Sequence, residues 1–141
     1  MEKWGILMSE SFTTVHTIRS IYADTDQMGF VHHAKYLEWF EAARTEMMRE
    51  KGISYKEMEE NGFLMPVLEA HCTFIKPVLY DDIVNIHTGV LELSRAKIKV
   101  GYRIYDETNE TLHTTGFTHH CYMTPSGKPV RAPADIINLL H

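Results

Sequence analysis

The chain has 141 residues, of which 14 are lysine or arginine and 19 are aspartate or glutamate, so its formal net charge at pH 7 is -5. This length suffices for one domain with a hydrophobic core, and we treat residues 1–141 as a single domain because no repeat, linker or low-complexity tract divides them. The acidic balance disfavours general nucleic-acid binding, and no apolar stretch approaches the roughly 20 residues needed to span a bilayer.

The first predicted element is a β-strand over residues 13–22, which are rich in β-branched side chains. A polar segment then leads into a helix that runs from Ala34 to about Lys51 and ends at Gly52. Apolar residues recur in this helix at intervals that form one stripe along its surface, so the stripe is expected to face a sheet. The stripe consists of Tyr36, Leu37, Trp39, Phe40, Ala43, Met47 and Met48.

A short helix and a series of strands follow the long helix. Ser54 is placed to cap a helix that extends to residue 60, and Glu57 three residues later would complete a capping box. Alternating apolar residues and turn signals then predict four strands and a terminal helix. The strands cover residues 63–76, 83–93, 97–104 and 111–123, and the helix covers residues 134–140.

This order of elements predicts the fold. One long helix cannot cover two faces of a sheet, so burial is best satisfied when a five-stranded antiparallel sheet wraps around that helix. The fold class is therefore α+β. A sheet of this kind keeps open edges, which commonly pair with another subunit, so self-association is expected.

The segment between the first strand and the long helix is the candidate for chemistry. Residues 24–33 read Asp-Thr-Asp-Gln-Met-Gly-Phe-Val-His-His and place carboxylates and histidines at the helix N-terminus. The first amides of a helix lack intrahelical partners and, together with the helix dipole, bind anions. A carboxylate beside them suits acyl transfer, in which one group attacks or activates water while the amides stabilise the oxyanion.

Other interpretations of these polar residues stay open. Asp24 and Asp26 could each close a local Asx turn, and we assign Asp24 to that role. The histidine pairs at residues 32–33 and 119–120 could instead bind a metal ion. Neighbouring residues of a strand point to opposite faces, however, and no cysteine–histidine spacing supports zinc, so we predict no metal site.

The segment that contains these residues resembles the hotdog-fold acyl-CoA thioesterases of the hydroxybenzoyl-CoA thioesterase and YbgC type. The resemblance covers roughly residues 13–124 and is strongest over residues 22–36. The family pattern there is a strand-end aromatic residue, then Asp-x-x-Gly-x-Val, then histidine or Tyr/Asn, and then a tyrosine. Further agreement lies in Phe-Glu-Ala-Ala-Arg-Thr-Glu at residues 40–46 and in Met-Pro-Val at residues 65–67.

The resemblance implies roles for individual residues. Asp26 matches the catalytic aspartate, as nucleophile or general base, and the amide of His33 would polarise the thioester carbonyl. The His33 ring and the hydroxyl of Tyr22, which matches the strand-end tyrosine, would position the water or Asp26. Glu41 is a rival carboxylate because some hotdog branches use a helix-borne acid, although an ion pair with Arg44 three residues later explains it more simply.

Basic residues of one predicted strand and of the turn before it are candidates for coenzyme A contacts. A solvated face would explain them, but a basic edge would also hold the phosphates of CoA. The resemblance implies such contacts at Arg95, and we predict them at Arg95 and Lys97. CoA is then part of the substrate, and no separate cofactor is expected.

The resemblance also implies hydrolysis of an acyl-CoA thioester by a homodimer or homotetramer whose acyl sites lie at the subunit interface. An acyl carrier protein in place of CoA stays open, since a basic edge could also meet an acidic carrier. Two other functions stay open as well: an acyl-thioester dehydratase or hydratase, and a non-catalytic acyl-thioester-binding protein. Release of free thiol from a panel of acyl-CoAs would separate the three.

Two features bear on the cellular compartment. Residues 1–10 lack the basic start and apolar core of a signal peptide. The cysteines Cys72 and Cys121 lie far apart in strand-like sequence, which favours reduced thiols over a disulfide. We therefore expect a cytoplasmic protein.

Overall fold

One long helix lies against one face of a five-stranded antiparallel sheet in the computed structural model, which describes residues 12–141. Residues 1–10, considered above for a signal peptide, lie outside that range. The arrangement confirms the predicted α+β hotdog fold. The elements are β1 (Thr14–Arg19), a 3-10 helix (Tyr22–Asp24), α1 (His33–Glu50), α2 (Tyr55–Glu60), β2 (Val67–Phe74), β3 (Ile83–Leu93), β4 (Lys97–Asp106), β5 (Leu112–Cys121) and α3 (Ala134–Leu140).

Helix α1 buries the predicted apolar stripe against the sheet, with one exception. Phe40 is fully buried and stacks on Tyr102 of β4 with ring centroids 4.2 Å apart. This close approach requires glycine at position 116 of β5, because a Cβ there would lie 2.6 Å from Cε2 of Phe40. Leu37 is the exception, since it is 44% exposed.

The order of the strands in the sheet is β1-β3-β4-β5-β2. Strand β2 therefore pairs with β5, and not with β3, which follows it in the chain. Residues 75–82, which include the end of a predicted strand and the turn predicted after it, cross the end of the sheet from one edge toward the other. Their path is fixed at Val78, whose carbonyl accepts from the Val31 amide at 2.8 Å just before α1. The crossing consequently packs beside the N-terminus of the long helix.

Two predicted strand boundaries are wrong by three or four residues, whereas the others lie within two residues of the observed ends. Strand β1 ends at Arg19, so Tyr22 lies in the 3-10 helix and not at a strand end. Strand β2 begins at Val67, after Pro66, because proline lacks the amide that a strand interior uses. The predicted cap of α2 is confirmed, since the Ser54 hydroxyl accepts from the Glu57 amide at 3.3 Å.

Strand β2 is an edge of the sheet that carries exposed apolar side chains. Its outer side pairs with no other strand within residues 12–141. Val67 is 47% exposed, Leu68 is 58% exposed and Phe74 is 41% exposed. An apolar, unpaired edge of eight residues is the kind of surface that natural proteins cover by pairing.

The described part of the chain also bears on membranes and on the cysteines. Within residues 12–141, no helix combines the length and the apolar character that crossing a bilayer requires. Cys72 and Cys121 are both free and half-buried. Burial raises the pKa of the Cys72 thiol.

Candidate active site

Asp24 ties the loop before α1 together. Its side chain is 5% exposed, and Oδ2 accepts from the Ile21 amide at 2.9 Å. Oδ1 lies 3.2 Å from Nζ of Lys35, whose pKa is raised by its hydrogen bonds to Glu38 and to Asp24. The Asp24 carbonyl also accepts from the His32 amide at 2.9 Å. Both carboxylate oxygens are thus used to hold the loop, although through Ile21 and Lys35 and not through the Asx turn that was predicted for Asp24.

Asp26 is held differently, because only one of its carboxylate oxygens is engaged. Oδ1 accepts from the Met28 amide at 2.8 Å and from the Phe30 amide at 3.1 Å. The backbone closes the same loop, with the Gly29 amide donating to the Asp26 carbonyl at 3.0 Å and a φ of 82° at Gly29. Among residues 12–141, Oδ2 has no hydrogen-bond partner. The Asx-type turn is therefore present, and it leaves one carboxylate oxygen available.

The N-terminus of α1 is open. Its N-cap residue, His32, makes no side-chain capping bond, and the first turn holds no acidic residue. The amides of His33 and Ala34 have no acceptor in the part of the chain that the structure describes. An uncapped helix of 18 residues presents free amides and the positive end of its dipole to whatever lies in front of it.

A cleft of about 420 Å³ lies in front of this helix end. Asp26, His32 and His33 line one side of it, and the segment after β2, including Lys76 and Pro77, lines the other. The long helix and the sheet-crossing segment therefore bring together the carboxylate and the open helix N-terminus that the sequence placed next to each other.

The His33 ring is fixed by stacking. It lies on the ring of Phe74, with centroids 4.2 Å apart and an angle of 16° between the planes. Within residues 12–141 it makes no hydrogen bond to Asp26. The position of the ring beside the cleft is thus set by the last residue of β2, and its proposed role in orienting water stays a prediction.

Tyr36 was assigned to the core stripe, yet it also lines the cleft. It is 2% exposed, and its hydroxyl accepts from the Val78 amide at 3.3 Å. Burial raises the pKa of Tyr36. The signal that could have identified it is its place as the tyrosine that closes the motif of residues 22–36. Its contact with Val78 fixes the crossing segment against the helix end.

Tyr22 lies away from the cleft in this chain. Its side chain is 79% exposed and packs edge-on against Tyr80, with ring centroids 5.8 Å apart. It is not among the residues that line the space in front of α1. The structure thus separates Tyr22 from Asp26 within one subunit, and the positioning role of its hydroxyl stays a prediction.

Arg95 and Lys97 lie at the opposite end of the sheet from Asp26. Strand β3 begins beside Arg19, close to the loop of Asp26, and runs for 11 residues before the turn that contains Arg95. At about 3.3 Å per residue, the two ends are roughly 30 Å apart. The Arg95 Nε donates to the carbonyl of Ala132 at 2.9 Å. One chain therefore does not bring these basic residues to its own cleft.

The predicted ion pair between Glu41 and Arg44 is wrong. Arg44 is 6% exposed and points into the core, where Nε donates to the hydroxyl of Tyr55 at 3.0 Å and Nη1 donates to that of Tyr102 at 2.9 Å. Burial opposes its charge, but these two tyrosines outweigh burial and raise the pKa of Arg44. Glu41 is exposed and does not line the cleft of Asp26, but it lines a second cleft together with Arg44 and Tyr55.

The two adjacent histidines of β5 point to opposite faces, as expected for a strand. His120 is fully buried, whereas His119 lies 3.2 Å from Glu69 on the outer face. In the described range, no three histidine, cysteine or acidic side chains are grouped as ligands for one metal ion.

These features define a hotdog protein with a carboxylate beside an open helix N-terminus. Residues 22–140 match the family model described as the thioesterase-like superfamily, and the chain belongs to that superfamily. The acyl-CoA thioester hydrolase YbgC of Escherichia coli is 28% identical over 120 residues, which cover 85% of this chain and 90% of YbgC. The predicted resemblance to YbgC-type proteins is confirmed.

Solved structures agree with this membership. The crystal structure of the hypothetical protein TT1821 from Thermus thermophilus has a TM-score of 0.85 and 35% identity, and the match covers 90% of this chain and 96% of that one. The DHNA-CoA thioesterase from Staphylococcus aureus has a TM-score of 0.80 and 34% identity, with 84% and 79% of the two chains covered.

Proposed function

We propose that the protein is an acyl-CoA thioesterase, which hydrolyses an acyl-CoA thioester to the free acid and CoA. The observation that carries the proposal is the state of Asp26, which is anchored through Oδ1 by two amides, keeps Oδ2 without a partner among residues 12–141, and lines the cleft in front of the uncapped N-terminus of α1. The names of the E. coli and S. aureus relatives, both hydrolases of CoA thioesters, support CoA as the carrier.

The chemistry needs an oxyanion site and an activated nucleophile. The thioester carbonyl oxygen would accept from the amide of His33 at the helix N-terminus. Oδ2 of Asp26 then attacks the carbonyl carbon, or takes a proton from a water molecule that attacks it. If Asp26 attacks, the C–S bond breaks as CoA leaves as a thiolate, and water then hydrolyses the acyl–Asp26 anhydride, restores the carboxylate and supplies the proton for the thiolate. If water attacks, the C–S bond breaks and the proton held by Asp26 passes to the departing CoA thiolate. No metal or separate cofactor takes part in either route.

We further propose that the site is completed by a second copy of the chain across β2. A two-fold axis perpendicular to the sheet would pair the two β2 edges antiparallel and cover their exposed apolar side chains. It would also keep both long helices on the same side of the continuous sheet. Residues 65–66 of one subunit then lie opposite residues 75–76 of the other, which line the cleft of Asp26.

The same two-fold axis would place the basic end of one subunit near the cleft of the other. Lys97 pairs with Cys121, and Val67 pairs with His120, so the beginning of β2 and the basic turn belong to one end of the sheet. Arg95 of the partner subunit is then a candidate contact for the CoA phosphates. A homotetramer would consist of two such dimers. The compartment we propose is the cytoplasm, which the free cysteines support.

The test is release of free thiol by the purified protein from a panel of aliphatic and aromatic acyl-CoAs. Hydrolysis with loss of activity in Asp26→Asn is the expected result. Consumption of enoyl-CoA without thiol release would instead indicate a dehydratase or hydratase. Tight binding of acyl-CoA without turnover would indicate a binding protein. Faster hydrolysis of acyl carrier protein thioesters than of acyl-CoAs would indicate that an acyl carrier protein, and not CoA, carries the acyl group.

A further inference from the structure

A buried chain of hydrogen bonds joins helix α1 to the segment before β2, and it takes no part in the proposed chemistry. Arg44 Nη1 lies 2.9 Å from the Tyr102 hydroxyl, which lies 2.7 Å from Oγ1 of Thr118. That hydroxyl lies 2.8 Å from Nε2 of His120, whose Nδ1 lies 3.2 Å from the carbonyl oxygen of Met65. The four side chains of this hydrogen-bond network are all buried.

Arg44 and the Met65 carbonyl stand at the two ends of this network, and their chemistry fixes which atom donates in every bond. Arginine only donates, and the Met65 carbonyl only accepts. Burial, followed by the charge of Arg44, lowers the pKa of His120 to about 4, so the ring is neutral at pH 7 and its Nδ1 proton points to Met65. Nε2 therefore accepts from Thr118, which accepts from Tyr102. Every bond of this network has one donor and one acceptor, so the network holds the Met65 carbonyl, at its end, in one place.

Met65 belongs to a segment that faces the proposed dimer interface. Met65 and Pro66 line a cleft of about 480 Å³, together with Arg44 and Tyr55. In the dimer proposed above, this cleft of one subunit adjoins the cleft that contains Asp26 of the partner subunit. The segment thus stands where an acyl group would extend beyond the reacting carbonyl.

We propose that His120 is a positioning residue for the acyl end of the substrate, because its bond to the Met65 carbonyl, together with the two backbone bonds between Leu64 and Met123, sets the place of residues 63–67, which close the acyl site of the opposite subunit. This inference rests on the proposed thioesterase function. It concerns the acyl part alone, because no hydrogen bond joins this network to Asp26 or to the amides at the N-terminus of α1.

Two conservative variants separate the two bonds of His120. Asparagine places an N–H close to the position of Nδ1, so His120→Asn keeps the bond to Met65 and loses the one from Thr118. Glutamine reaches the position of Nε2, so His120→Gln keeps the bond from Thr118 and loses the one to Met65. Each is assayed with acetyl-CoA and with octanoyl-CoA or benzoyl-CoA, whichever wild type hydrolyses faster.

The expected result is selective. His120→Gln should raise KM for the larger substrate about 5- to 10-fold and leave acetyl-CoA unchanged, while His120→Asn should stay close to wild type on both. If His120→Gln does not fold, His120→Met serves in its place, because methionine fills a similar volume and likewise offers no donor to the Met65 carbonyl; it should shift KM in the same direction.

Mixed dimers test whether the segment acts on the opposite subunit. A dimer of one Asp26→Asn chain and one His120→Gln chain has one site that combines an intact Asp26 with an intact segment from its partner. Random mixing should therefore give roughly one quarter of the sites wild-type behaviour toward the larger substrate. If residues 63–67 acted within their own subunit, no site would recover.

The outcomes distinguish the two proposals. Equal acyl profiles for wild type, His120→Gln and His120→Asn would overturn the positioning role while leaving thioesterase function intact. Equal losses on acetyl-CoA and the larger substrate, hydrolysis of acetyl-CoA alone by wild type, or no recovery in mixed dimers would also overturn it. Absence of thiol release by wild type from every acyl-CoA would overturn the proposed function, and this inference with it.

Discussion

Replacing Asp26 by asparagine removes the charge of the proposed catalytic carboxylate and keeps its shape. The bonds from the Met28 amide at 2.8 Å and the Phe30 amide at 3.1 Å both end on Oδ1, which asparagine also carries. The loop should therefore keep its conformation. Oδ2 becomes an NH2 group that can neither attack a carbonyl nor take a proton from water, so kcat should fall by about 10²-fold or more.

The assay is thiol release at saturating acyl-CoA, with the Tm measured on the same samples. Asp26→Ala is the comparison, because it removes the carboxylate and also leaves the two amides without their acceptor. It should lose as much activity as Asp26→Asn and in addition lower the Tm. Asp81→Asn is the control, since Asp81 is an exposed aspartate with a φ of 68°, a conformation that asparagine readily adopts.

Two results would refute this reasoning. Undiminished thiol release by Asp26→Asn would remove Asp26 from the chemistry. An equal fall in Tm for the asparagine and alanine variants would show that Oδ1 does not anchor the loop in the way that its two contacts indicate. Asp24→Asn should be much milder than Asp26→Asn in activity, because Asp24 holds the loop and does not face the cleft.

Three further changes test other parts of the molecule. Leu68→Lys adds a charge to the exposed edge of β2 and should give an inactive monomer; an active dimer by light scattering would contradict the assembly. Arg95→Ala should raise KM for acyl-CoA with kcat nearly unchanged and spare N-acetylcysteamine thioesters, which lack the nucleotide; equal losses on both would contradict a phosphate contact. Because the pKa of His120 falls from 6.5 to about 4 on folding, the unfolded chain binds a proton first as the pH drops. As the pH falls from 6.5 to about 4, the free energy of unfolding of wild type, measured by urea titration, should decrease by about 3 kcal/mol more than that of His120→Asn. A difference between the two proteins that does not change with pH would contradict this.

The buried cation of Arg44 shows where a local rule failed. Sequence spacing favours a pair between Glu41 and Arg44, because residues three apart are neighbours on a helix surface. The arginine instead turns toward the core, where Tyr55 and Tyr102 each offer a hydroxyl as acceptor. Those tyrosines are 11 and 58 residues away in the chain, so no local pattern could have identified them.

The sequence by itself determined the elements and the neighbourhood of the reacting group. The boundaries of β3, the stripe of α1 and the cap at Ser54 follow from periodicity and from capping, which act between residues close in the chain. Asp26 and the helix N-terminus are also neighbours in sequence, so their meeting in one cleft could be predicted from the motif of residues 22–36.

Only the tertiary structure decided what depends on distant pairing. The partner of β2 is β5, and this choice sends residues 75–82 across the sheet and leaves an apolar edge open. The same pairing places His120 behind Met65, and the length of the β3–β4 hairpin places Arg95 at the far end of the sheet from Asp26. The physical reason is that strand order is set by burial of the whole sheet against α1, to which every strand contributes and which no single segment encodes.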